Sequence, residues 1–403
     1  MVLLKCGELL KIFDIHPITI KLVKGGHPWI LKDRYTESFP RKEEFLEVYH
    51  SPKKVFLGHF IHDPDHPRIK ARLWSLEKKR NSFNDELKEK LKTSFQKRKE
   101  INFKRDNYYL VFGESDSLPG LFIQKLKNKI LIHYNAFFWK KKISQVIKIC
   151  EDLEVENGEI EFWEQMRIPG ENKKHPVFVK STQGKERIND SIICENGIEL
   201  QLEFDDTHDI GIYTDMAAIR ESIIPFFKGK KEILNLFSYT GSFSLMGLKN
   251  NSNVTSVDLS KKYMSWLERN IECNSFDETH HTSLVKNCEK ALAQFQKNKQ
   301  LFDLIICDPP SFSSDGKKKK SSQDFYRDNL EKMAELLSPG GVILAFLNTH
   351  KVTRAQFNKL IMTSLKKQNL IIDKEKLGLK MDCPQIPGFP EGDYLKGIIL
   401  KNK

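Results

Sequence analysis

From about residue 195 onward, apolar strand-like runs alternate with helical patterns, and this succession limits the possible folds more than any other feature. "EILNLF" reads as a strand and "GSFSLMGLKN" as the start of a helix. "VTSVDLS" and "KKYMSWLERNIECN" repeat the pair, as do "FDLIICDPP" and "SQDFYRDNLEKMAELL", before a last strand in "GGVILAFL". Strands without polar alternation are covered on both faces, and the intervening helices supply crossovers. The pattern therefore predicts an α/β fold with a parallel, doubly wound, Rossmann-like sheet. Ligands of such sheets sit outside the carboxyl ends of the strands, where the strand order reverses.

The 403 residues leave room for two or three domains. Residues 1–78 read as a small β-rich domain. "ITIKLVKGGHPWIL" alternates until it breaks at Gly25-Gly26 and Pro28, and "KKVFLGHFI" and "RIKARLWSL" add two short strands. Residues 79–194 read as a small α+β domain. A helix over "SFNDELKEKLKTSFQKRKE", capped by Ser82 or Asn84, precedes the strands of "YYLVFGESDSLPGLFIQKL" and "KILIHYNAFF" and the helical "KKISQVIKICEDL". Pro169 to Asp190 is polar, broken by Gly and Pro, and is the expected linker to residues 195–403.

Composition narrows the setting. Lys and Arg exceed Asp and Glu, 66 against 54, an excess that favours polyanionic partners. No apolar run approaches a membrane span, and Lys5, Glu8 and Lys11 interrupt the N-terminal stretch, so a cytoplasmic protein is expected. The seven cysteines show no CxxC pair or metal-like spacing, as for reduced thiols.

The chemistry concentrates at predicted strand ends. "NLFSYTGSFS" follows the first strand of the α/β region and opens a helix, with Gly241 permitting close backbone approach. The three-glycine dinucleotide fingerprint is missing, which disfavours pyrophosphate binding and a dehydrogenase. Asp258 closes the next strand, where a carboxylate can accept both hydroxyls of a ribose. Asp308 ends the strand "FDLIIC"; Pro309 and Pro310 then fix φ and remove two donors, and Phe312 offers a ring to stack on a base. Lys317, Lys318, Lys319 and Lys320 follow as a candidate phosphate grip. Taken alone, each of these residues also has a bland reading: helix cap, core ring or solvated loop.

In order along the chain, "LNLFSYTGSFS", "SVDLS", "FDLIICDPPSF", "PGGVILAFLNTH" and "FPEGDYLKG" resemble a class I S-adenosylmethionine-dependent methyltransferase. The likeness is to the RlmI/RlmK family of bacterial 23S rRNA methyltransferases in particular. "KGGHPWI" is similar to the start of that family's N-terminal PUA domain, and "FGESDSLPGLFI" to the signature of its central domain. The resemblance implies that Phe237, Ser238, Tyr239, Thr240 and Gly241 hold the methionine side of S-adenosylmethionine. It implies that Asp258 holds the ribose, that Asn287 stands where an adenine-contacting Asp is usual, and that Asp308 also borders the cofactor. "DIGIYTDMAAIR" is similar to the segment over the methionine end, contributing Tyr213, Asp215 and Arg220, with Ala217 replacing a usual arginine. It further implies RNA contacts from Lys21, Lys24, His27 and Arg34, a ribosomal RNA partner and a homodimer.

The atom that receives the methyl group depends on Asn348. Cytosine C5 methylation needs a cysteine thiolate to add at C6 first. The cytosine enzymes of the family carry that cysteine in a Ser-Cys-Ser segment, and this chain has Asn348 in "AFLNTHK" instead. The guanine N7 branch carries asparagine there, and N7 has a free lone pair. The expected catalytic set is therefore Asp308, Pro309, Pro310, Phe312 and Asn348, acting on guanine N7. Two alternatives stay open: C5 methylation with a relocated thiol such as Cys383, and a silent RNA-binding assembly factor.

Overall fold

The computed structural model describes residues 2–5, 8–11, 15–39, 44–50, 55–154, 160–167, 179–180, 191–204, 209–314, 319–365, 370–373 and 375–402. The chain forms two compact units. The first comprises Met1–Arg187, Phe204–His208 and Met381–Phe389; the second comprises Ile188–Glu203, Asp209–Lys380 and Pro390–Lys403.

The first unit contains an antiparallel four-stranded sheet, ordered Trp29–Leu31, Ile69–Ser75, Val55–His62, Phe45–His50. A five-stranded sheet follows, ordered Val179–Lys180, Glu161–Met166, Lys129–Tyr134, Leu121–Leu126, Asn107–Phe112. Helix Phe83–Lys99, capped by Ser82, sends Leu87, Leu91 and Phe95 into a core with Ile123, Ile132 and Trp139. One expectation is corrected: the alternating "ITIKLVK" is not a strand. Pro17–Lys24 is a helix, because Pro17 sits at its first position and His16 Nδ1 caps the Ile18 N–H at 3.1 Å. Its buried residues, Thr19 and Val23, are four apart, which a helix brings to one face. The expected linker, Pro169 to Asp190, lies outside the described residues except for Val179–Lys180.

The second unit is built on one eight-stranded sheet. Its strands are β1 (Glu232–Leu236), β2 (Asn253–Asp258), β3 (His281–Val285), β4 (Phe302–Cys307), β5 (Leu337–Asn348), β6 (Leu370–Ile372), β7 (Leu377–Gly378) and β8 (Leu395–Asn402). The order is β3-β2-β1-β4-β5-β8-β6, with β7 also pairing β8. Strands β1 to β5 run parallel, and β8 inserts antiparallel to β5. The helices are α1 (Ala217–Ile223), α2 (Ser242–Lys249), α3 (Lys261–Cys273), α4 (Cys288–Lys297), α5 (Ser322–Glu335) and α6 (Arg354–Ser364). Leu234, Ile305, Ile343, Leu292, Leu330 and Phe357 share one continuous core cluster. The order reverses between β1 and β4, so the carboxyl ends of β1, β2, β4 and β5 converge at the edge where such sheets bind ligands. A hairpin, Ser191–Glu195 and Ile198–Leu202, turns through Asn196 and Gly197, both at positive φ as a two-residue turn requires.

Candidate active site

A cavity of about 820 Å³ opens at this carboxyl edge. Its first wall is the turn after β1. Phe237 and Tyr239 both hold positive φ, 58° and 51°, a conformation side chains with a Cβ rarely adopt. Asp258 over-determines that turn: its Oδ2 accepts the Tyr239 N–H at 3.0 Å and its Oδ1 the Ser260 N–H at 2.8 Å. Burial raises the Asp258 carboxyl above its usual range, against these amide donors. Phe237, Ser238, Tyr239, Ser242 and Asp258 line the cavity.

Thr240 and Gly241 do not line it. Thr240 is fully buried and donates through Oγ1 to Gly211 O at 2.6 Å. Gly241 caps α2 at φ +90°, and a Cβ there would lie 1.9 Å from Leu267 Cδ1. Glycine is required by the packing of α3 on this turn, so both residues shape the wall from behind.

A second wall is aromatic and acidic. Tyr213 lies 5.1 Å from Tyr239, centroid to centroid, and Tyr239 lies 4.5 Å from Tyr263 at a steep angle. The Tyr263 hydroxyl donates to Asp209. Asp215 faces the cavity and accepts the Tyr394 hydroxyl at 2.6 Å. Arg220 reaches the cavity wall but is chiefly engaged elsewhere. It makes a two-pronged buried ion pair with Glu195 (2.5 and 2.8 Å) and donates to Tyr213 O at 3.1 Å. Arg220 thus steadies the Tyr213 segment from the hairpin. Glu195 was not expected from the sequence, because it precedes the motif and carries no local signal.

On the side of β3, Lys286, Asn287, Cys288 and Glu289 line the cavity. Asn287 caps α4: its Oδ1 accepts the N–H groups of Glu289 at 2.9 Å and Lys290 at 3.2 Å. The side-chain carbonyl is therefore turned to the helix. Both lone pairs are occupied, and the amide NH₂ is the group left to meet a ligand.

The last wall follows β4 and β5. Asp308, Pro309, Pro310, Ser311 and Asn348 line the cavity together, which brings four of the five catalytic candidates to one wall. The side chain of Phe312 lies outside the described residues. Loss of hydration and the neighbouring Asp215 carboxylate push the Asp308 carboxyl up to about 7, with Arg220 opposing. Ser311 Oγ donates to the Asn348 carbonyl, tying the Asp-Pro-Pro loop to β5. Lys320, in the short strand Lys319–Ser321, also lines the cavity. Its ammonium is paired with Glu289 at 2.9 Å and Asp328 at 3.2 Å, so it links the loop to α4 and α5. Lys317 and Lys318 lie outside the described residues, as does the Lys319 side chain.

The expected RNA contacts of the first unit divide. Lys21, Lys24 and Arg34 are exposed. His27 is corrected: it is buried, its ring edge-on to Trp29 and Phe389, with Nδ1 accepting the Trp29 N–H at 3.1 Å. An imidazole engaged this way serves the core.

Six cysteines are described, and none is in a disulfide. Cys288 alone among them lines the cavity, and burial pushes its thiol up to about 12. Cys307 is fully buried, and burial holds its thiol well above the usual thiol range. Cys383 is buried within the first unit.

Residues 178–370 match the family model of S-adenosylmethionine-dependent methyltransferases. Two curated relatives are both named ribosomal RNA large subunit methyltransferase I. The protein from Pseudoalteromonas translucida is 28% identical, over 94% of this chain and 96% of its own. That from Photobacterium profundum is also 28% identical, over 94% of this chain and 98% of its own. Among solved structures, one described as a methyltransferase complexed with SAH has a TM-score of 0.86 at 24% identity. A SAM-dependent methyltransferase from Streptococcus mutans has a TM-score of 0.83 at 23% identity. Each covers 97% of this chain and is itself covered to 99%, so the likeness in fold extends over both units.

Proposed function

This chain is an S-adenosylmethionine-dependent methyltransferase, and we propose that it methylates a base of large-subunit ribosomal RNA by direct transfer to a nitrogen, guanine N7. The cavity fits the cofactor. Asp258 accepts backbone N–H groups of the turn through both oxygens, and a carboxylate offers about four acceptor sites in all, which leaves capacity for a ribose hydroxyl. The Asn287 NH₂ would donate to the adenine edge, and Phe237 would flank the ring. Asp215 and Asp308 give the methionine end the acidic character that a sulfonium and an ammonium require. When bound, S-adenosylmethionine supplies an electrophilic methyl group for in-line displacement; the protein's part is to place a lone pair opposite it and keep water out.

The observation that carries the choice of atom is Asn348, which lines the cavity beside Asp308-Pro309-Pro310. An amide cannot add to a pyrimidine C6. The cavity's one described cysteine, Cys288, has its thiol at about 12, so it holds almost no thiolate near neutrality. A guanine N7 lone pair lies in the ring plane and needs neither a covalent adduct nor removal of a proton. Asp308 and Asn348 then have only to hold the base, with the prolines keeping the loop stiff. The relatives' printed name supports the ribosomal substrate. Exposed Lys21, Lys24 and Arg34 support a role in RNA docking for residues 1–78, ahead of a central domain at 79–194 and a catalytic domain from 195.

The test is transfer of labelled methyl from S-adenosylmethionine to unmodified large-subunit RNA, with small-subunit RNA and tRNA as controls. Label should enter the large-subunit RNA and digest to 7-methylguanosine. Label in the controls alone would overturn the substrate, and 5-methylcytidine would overturn the atom.

A further inference from the structure

Asp308 and Asn348 stand at the tips of two neighbouring parallel strands, and two hydroxyl groups join those tips. Behind the cavity, Tyr326 of α5 is fully buried, and its phenol oxygen lies 2.9 Å from Cys307 O and 2.6 Å from Phe346 O, so that its one proton is shared between the two carbonyls. Cys307 immediately precedes Asp308. Phe346 lies two residues before Asn348, on the same face of β5. In front, Ser311 Oγ donates to Asn348 O. The strand segments themselves are in register, and their pairing ends with Cys307 opposite Ala345. Helix α5 is anchored in turn, by the Ser321–Asp324 capping box and by Lys320 bound to Glu289 and Asp328. The Tyr326 ring packs 5.5 Å from Phe357 of α6, so its hydroxyl has little freedom to leave the two carbonyls.

We propose that Tyr326 and Ser311 act as positioning residues, a two-point clamp that sets the spacing of Asp308 and Asn348 and so places the target base against the methyl donor. The proposal rests on the reading that Asp308 and Asn348 face the base. A fully buried hydroxyl bridging two strand ends has a structural use in any fold. The clamp differs in acting at the one pair of strand tips that carries the target side, away from the nucleoside side formed by β1 and β2. Misplacement of reacting groups by about 1 Å costs roughly 100-fold in rate, whereas cofactor contacts at Asp258 and Asn287 would not feel it.

The test uses the full chain as Tyr326→Phe and Ser311→Ala, with three readouts. These are SAH affinity by calorimetry, kcat and KM on unmodified large-subunit RNA, and amide hydrogen exchange across residues 304–314 and 342–350. For Y326F, kcat should fall roughly 10- to 100-fold, with RNA KM within about twofold of wild type and SAH affinity, to which Asp308 contributes at the methionine end, reduced by no more than about fivefold. Exchange should quicken in both segments together and stay unchanged over β1 and β2. S311A should show the same pattern with a smaller loss, and keeps the proposal testable if Y326F folds poorly. Wild-type kcat and exchange in both variants would overturn the clamp. So would a matching loss of SAH affinity, which marks a general core defect. If wild type modifies no large-subunit RNA, the substrate reading fails, and the exchange readout alone decides the clamp: joint quickening of the two segments supports it, and no change overturns it.

Discussion

Asp308 shows how a single side chain reports its surroundings. Its carboxyl is pushed up to about 7, while an unfolded chain holds an Asp near about 4. Between those values the folded protein keeps a proton that the unfolded chain has lost, so stability must fall as pH rises through this window and level off above it. Asp308→Asn does not titrate there. Its urea midpoint is expected to match wild type near pH 4 and to exceed it at pH 8, by about 2–4 kcal/mol in unfolding free energy. Equal midpoints at pH 8 would contradict the assigned environment. Asp215→Asn, which removes the neighbouring charge, should narrow the window from above. Asp258 and Asp308 were legible in the sequence as carboxylates closing strand-like runs, and Asn348 through the resemblance, which places it where the cytosine enzymes carry their cysteine. The roles of Asn287 and Arg220 were not: a cap's use of its own lone pairs and a pairing with Glu195 depend on geometry that no spacing encodes.

At the scale of elements, the turn between β1 and α2 carries the most constraint. Gly241 combines φ +90° with a Leu267 methyl where its Cβ would be. Gly241→Ala is expected to cost about 2–4 kcal/mol in chemical denaturation, from strain and overpacking together, and to weaken SAH binding as the turn shifts. The long apolar strands β1, β4 and β5 and the helices behind them were readable from periodicity. Strand β3 was not, since "HTSLV" is short, polar and only partly buried at the sheet's edge. The helix at Pro17–Lys24 was misread because seven alternating residues fit either period, and the deciding signal was the proline at its first position.

The whole molecule is less linear than its motifs. Residues Met381–Phe389 leave the second unit and belong to the first. There Asp382 accepts Arg105 Nη2 at 2.5 Å and the Tyr109 N–H at 2.8 Å, while Arg98 holds Asp116 with both prongs and also the Asp382 carbonyl. These partners are 273 to 284 residues from Asp382, too far apart for sequence patterning to join. Removing one member of a buried charge pair strands the other, so Asp382→Ala should destabilise the protein by about 3–5 kcal/mol in urea unfolding. Cys383, next to Asp382, is buried and belongs to the same unit.

The central claim is transfer to a nitrogen without a thiol, and it is tested most directly by identifying the product of a thiol-free site. Unmodified large-subunit RNA should be methylated by wild type and by a Cys288→Ala/Cys383→Ala variant, and the nucleosides identified by mass spectrometry. 7-Methylguanosine is expected from both, at rates within about threefold of each other. 5-Methylcytidine from wild type, lost in the variant while SAH still binds, would contradict the claim.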